Sequence, residues 1–151
     1  MDKTKQMVRE KFPGVNQMST EEFAKWLADP SRPAPVILDA RTAKEFEISR
    51  IAGARNVPKG TPVEAAMGAA AKDAPVVVYC SVGYRSSQFA EKLQKAGYTK
   101  VWNLEGSIFQ WANEGRPIVD ARGPASVVHP YDAEWGKLLR PERKAQVPDA
   151  E

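Results

Sequence analysis

The chain has 151 residues, 42% of them hydrophobic, with a formal charge of +3 and one cysteine. That length suits one folded domain with a sizeable core. The positive charge is spread along the chain, denser only at Arg140 to Lys144, and no Lys/Arg stripe interleaves with aromatics, which argues against nucleic-acid binding.

Residues 1–14 are charged and end in Phe-Pro-Gly, so they read as a frayed or short helical lead-in; 15–120 read as the main domain and 121–151 as a C-terminal extension. Ser19 and Glu22 form a capping-box pattern that opens a helix carrying Phe23, Trp26 and Leu27 on one face. Pro35 to Asp39 is a buried strand, Thr42 to Glu47 a short helix or turn, and a short strand returns around Arg55 to Val57. An Ala-rich helix is predicted over Pro62 to Lys72, with Pro62 in its first turn. Val76 to Tyr79 is a β-branched run suited to a strand buried on both faces. Another strand follows at Lys100 to Leu104 and another helix at Ser107 to Asn113. A short helix over 131–139 and then a disordered tail close the chain. Strands alternating with helices predict an α/β domain, with a mainly parallel central sheet and helices on both faces.

The chemistry concentrates after the Val76–Tyr79 run. Cys80 comes at once, then Ser81, Val82, Gly83, Tyr84 and Arg85, with Ser86 or Ser87 positioned to cap a helix whose apolar positions are Phe89, Leu93 and Ala96. Strand, cysteine, tight loop and helix in that order put a thiol where backbone N–H groups converge. Such a cradle binds anions and favours a thiolate. Parallel sheets carry their ligands at the carboxyl ends of strands, where Asp39, Cys80 and Glu105 all fall.

Cys80-x-x-Gly83-x-Arg85 resembles the active loop of single-domain rhodanese-type sulfurtransferases. Leu38-Asp39-Ala40-Arg41, Glu45-Phe46, the segment Ile51 to Pro58, and Leu104-Glu105-Gly106 with Trp111, Gly115 and Pro117 are similar to further signatures of that family, in order from Val15 to Val119. Ser49-Arg50 stands where Gly-His is usual and Ser107 where a second Gly is common. The resemblance implies a rhodanese-like fold and a cofactor-free, metal-free reaction through a Cys80 persulfide. A small anionic donor such as thiosulfate supplies the sulfur; a thiol, cyanide or a protein accepts it, or the domain acts as a sulfur carrier for one protein partner.

The persulfide is an anion, and the amides of Ser81 through Ser86 are its expected donors. Arg85 is expected to brace the loop against Asp39 or Glu45, and Arg41 and Arg55 to border the mouth or lie on the surface. Val82 and Tyr84 shape the entrance. Only four residues, Ser81 to Tyr84, separate Cys80 from Arg85; related phosphatases use a loop one residue longer, so the pocket matches sulfur better than phosphate. His129, the sole histidine, lies outside the matched body and reads as structural or surface. With a single cysteine no intramolecular disulfide can form, and a reducing compartment is expected. No apolar run reaches membrane-spanning length, and Met1-Asp2-Lys3 lacks a signal-peptide core, so the expectation is a cytoplasmic protein without membrane partners.

Overall fold

The computed structural model describes residues 1–147. In chain order the elements are α1 (Asp2–Lys11), β1 (Asn16–Met18), α2 (Thr20–Ala28), β2 (Val36–Asp39), α3 (Ala43–Ile48), β3 (Arg55–Asn56), α4 (Val63–Met67) and β4 (Val76–Tyr79). They continue with α5 (Tyr84–Lys95), β5 (Val101–Leu104), α6 (Ser107–Asn113), β6 (Ile118–Asp120), β7 (Gly123–Ala125) and α7 (Ala133–Gly136). A single turn of 3-10 helix follows at Pro141–Arg143.

Five strands form one sheet in the order β1-β5-β4-β2-β3, with every neighbouring pair parallel. Parallel pairing requires crossovers, and the alternating helices supply them on both faces. The side chains of β4 explain its central place: Val76, Val77, Val78 and Tyr79 are all fully buried. Val76 and Val78 pack with Phe89, Leu93 and Val8 on one face, Val77 and Tyr79 with Phe23, Ile108 and Phe109 on the other. A strand that buries alternate residues in two cores reads as a continuous apolar run.

Side-chain caps fix the starts of α2 and α3. Ser19 and Thr42 each close a full capping box, with Glu22 and Glu45 reaching back. The Ala-rich helix is shorter than its composition suggests, because Gly68 at φ +57° ends it after Met67. The hairpin β6-β7 joins residues whose Gly123-Pro124 reads only as a break. Expected helix 131–139 contracts to α7, which Asp132 caps, while Leu139 is buried against the body. The segment after Arg140, expected to be disordered, holds the 3-10 turn and a bridge between Val128 and Lys144; residues 148–151 of the expected tail lie outside the described residues. Among the described residues no helix is long and apolar enough to cross a membrane.

Candidate active site

Cys80 sits at the carboxyl end of β4, only 1% exposed. Helix α6 fastens it from below: the Ile108 and Phe109 amides donate to the carbonyls of Cys80 and Ser81 at 3.2 and 3.1 Å. Ser107 Oγ accepts the Cys80 amide at 3.2 Å and donates to the Leu104 carbonyl at 2.8 Å. Ser107 holds φ +50°, a left-handed conformation that suits the glycine common at this place in the family it resembles. Here a serine accepts that strain and its hydroxyl anchors the cysteine.

The loop turns at Gly83, whose φ of +116° would strain any side chain, and an added Cβ would also sit a tight 3.1 Å from Asn103 Nδ2. Gly83 is therefore the residue before α5, which starts at Tyr84. Ser86 and Ser87, expected as caps, lie within its first turn. The geometry gives Ser86 another task. Its Oγ lies 3.3 Å from Cys80 Sγ and 2.5 Å from Asn103 Oδ1, and its one proton serves either acceptor. The Gly83 amide donates to Sγ at 3.1 Å. First-turn amides of α5 have no acceptor within the helix.

Arg85 pairs with Glu45 rather than Asp39. Its Nη1 and Nη2 reach the two Glu45 oxygens at 2.7 and 3.0 Å, and Nη2 also donates to Ser81 Oγ at 2.8 Å. Burial pushes the Glu45 carboxyl up, but the Arg85 hydrogen bond and charge, the Thr42 amide and Arg41 outweigh it and hold it at about 2. For Arg85, burial disfavours the charge, yet its bond to Glu45 and the nearby Cys80, Glu45 and Tyr131 raise its pKa overall. The loop is thus tied to α3 by a bidentate charged pair.

Asp39 and Arg41 turn to each other instead. Both are completely buried, with Arg41 Nη2 2.7 Å from Asp39 Oδ2 and 2.6 Å from the Ser49 carbonyl. Arg41 therefore does not border the mouth, because the two-residue spacing folds its side chain back onto Asp39. Arg55, by contrast, is exposed and donates to the Ala66 carbonyl. Glu105, at the carboxyl end of β5, is engaged by Arg9 of α1, which holds both its oxygens at 2.6 Å. Val82 is buried, and Tyr84 meets Phe12 edge-on with ring centres 5.1 Å apart.

The sequence reading missed other contributors. The Tyr131 ring lies 4.7 Å from the Arg85 guanidinium carbon. A groove of about 380 Å³ beside Arg85 has Lys59, Lys92 and Lys95 on its lining, with Glu91 as the acidic member. Lys92 and Lys95 could have been read from helical spacing after Arg85; Lys59 joins them only through the fold. His129 is half-buried, and its Nδ1 accepts the Tyr131 amide at 3.0 Å. Burial lowers its pKa, helped by the charges of Arg41, Arg85 and Lys44 and opposed by Glu45.

Comparison with known proteins agrees with this geometry. A rhodanese-like domain model matches residues 19–114. A sulfurtransferase of Allochromatium vinosum is 36% identical over 109 residues, which span 72% of this chain and 99% of that protein. The tRNA uridine(34) hydroxylase of Escherichia coli is 30% identical over 89 residues, 56% of this chain but only 25% of that longer protein. The solution structure of a rhodanese-like domain from Anabaena superposes with a TM-score of 0.63 at 27% identity, covering 75% of this chain and 87% of that one. Fold, loop and matched sequence agree: the chain belongs to the rhodanese-like domain family.

Proposed function

We propose that this domain is a sulfurtransferase that carries sulfane sulfur on Cys80, taking it from thiosulfate or a similar anionic donor and passing it to an external thiophile. The observation that carries the reading is the environment of Sγ: a Gly83 amide and a Ser86 hydroxyl within 3.1 and 3.3 Å, in a short loop fixed by Arg85, Glu45 and Ser81. These donors meet a thiolate before reaction and a persulfide after it.

In the first step the Cys80 thiolate attacks the outer sulfur of thiosulfate. A new S–S bond forms, the donor's S–S bond breaks, and its electron pair leaves with sulfite. Cys80 then bears the persulfide anion, which takes the amide donors of Ser81 through Ser86. In the second step cyanide or a thiolate attacks that outer sulfur, and the bonding pair returns to Cys80 Sγ. The chain has one cysteine, so no internal thiol can resolve the intermediate. Arg85 acts as a brace, with Asp39 and Arg41 anchoring α3 behind it. Lys59, Lys92 and Lys95 add a positive field beside the loop that favours an anionic donor.

The same groove favours a second reading, in which an acidic protein segment docks there and receives the sulfur. Thiocyanate formation from thiosulfate and cyanide separates the two. Sustained turnover that Cys80→Ser abolishes supports the first reading; a stable persulfide with negligible cyanide turnover supports the second. Hydrolysis of an aryl phosphate without sulfur transfer would overturn both.

A further inference from the structure

Two aromatic rings from outside the stretch matched by the family model cover the active loop. Phe12 packs on Tyr84 and is itself buried; Tyr131 stacks on Arg85 and is 40% exposed. Core packing therefore explains Phe12 but not Tyr131.

The chain nevertheless holds Tyr131 firmly. The Val127 carbonyl accepts the Ser49 hydroxyl at 2.7 Å, and Val128 is completely buried. The Tyr131 amide donates to His129 Nδ1, and Asp132 caps α7 immediately after. Between these anchors Tyr131 adopts φ +70°, a left-handed backbone that a bulky residue rarely takes. An exposed ring kept in a strained conformation against one side chain points to a task for that ring. The side chain it covers is Arg85, bonded to Ser81 and Glu45 and within the field of Cys80. The basic groove that also borders Arg85 does not include Tyr131 in its lining, so the ring closes a different side.

We propose that Tyr131 is a specificity-determining residue: its ring walls one side of the approach to Cys80, admitting small reactants and holding back bulky thiols and thiol reagents. As a statement about sulfur acceptors this rests on the sulfurtransferase reading above, but access to the thiol can be measured without it.

Cys80 is the only cysteine, so labelling rates report this site alone. Second-order rates with iodoacetamide (small) and fluorescein maleimide (bulky) would be compared in the wild-type chain, Tyr131→Gly and Tyr131→Phe. Glycine accepts φ +70°, so it removes the ring without straining the segment. The expected result is a bulky-to-small rate ratio raised about tenfold in Tyr131→Gly and unchanged in Tyr131→Phe, the scale of a steric contact in a pocket. An unchanged ratio in Tyr131→Gly, or a ratio in Tyr131→Phe that rises as far as in the glycine variant, would overturn the proposal. Absence of any persulfide after thiosulfate in all three proteins would overturn the sulfurtransferase reading instead, whatever the labelling ratios.

Discussion

Arg41 with Asp39 and Arg85 with Glu45 are the same chemical pair, each with a closest approach of 2.7 Å, set around one short helix. They differ in what lies around them. The first is wholly enclosed, its arginine spanning from the end of β2 to the Ser49 carbonyl after α3. The second reaches from α3 into the reactive loop, and its arginine side chain keeps 27% exposure. One pair fixes where α3 sits; the other uses α3 to fix the loop. The difference teaches that a buried ion pair near a reactive group can be purely architectural, while its partly open neighbour has the means to influence chemistry.

The sharpest way to break that distinction is to remove one partner of each pair. Asp39→Ala leaves the Arg41 charge buried and uncompensated, and should lower unfolding stability by about 3–5 kcal/mol in urea titration. Replacing both residues with apolar side chains of similar volume should recover much of that loss. A cost under about 1 kcal/mol for the single change would mean that the enclosed pair does not anchor α3.

Glu45→Gln should destabilise less, by about 1.5–3 kcal/mol, because the amide retains part of the hydrogen bonding. Its larger effect belongs in the chemistry: persulfide formation on Cys80, followed by quenched-flow mass measurement, should slow by up to about 10²-fold as the loop loosens. Equal loss of stability and no change in rate would erase the contrast between the pairs.

A smaller effect is expected in the pH dependence of stability. The Glu45 carboxyl ordinarily titrates near 4.5 and is held at about 2 in the folded chain. Its lowered pKa contributes stability that is fully present above the unfolded value and is lost as pH falls toward the folded one. The stability gap between wild type and Glu45→Gln should therefore narrow from about pH 4.5 downward. A gap that stays constant through that window would deny the pair its electrostatic role.

The contrast also marks what could be read from the chain alone. Sheet, helices and the strand–cysteine–loop–helix order were legible because Val76 to Tyr79 is apolar without interruption and a capping box announces α2. Which carboxylate meets Arg85 was not, since Asp39 ends β2, Glu45 follows six residues later, and only the turn of α3 aims Glu45 at the loop. Arg41 was misplaced for a related reason: an arginine two residues beyond an aspartate looks exposed until the backbone folds it inward. The cap of α5 was read as serine because serine's propensity is general, whereas Gly83 is called for by a φ of +116° and a tight approach to Asn103 on the next strand. Tyr131 lies too far along the chain for any local pattern to join it to Arg85.

The central claim is that Cys80 carries sulfur, and intact mass after incubation with thiosulfate tests it most directly. The account predicts a gain of one sulfur atom in the wild-type chain, reversed by cyanide and absent from Cys80→Ser. No gain in a protein whose Cys80 still reacts with iodoacetamide, or a gain that persists in Cys80→Ser, would contradict it.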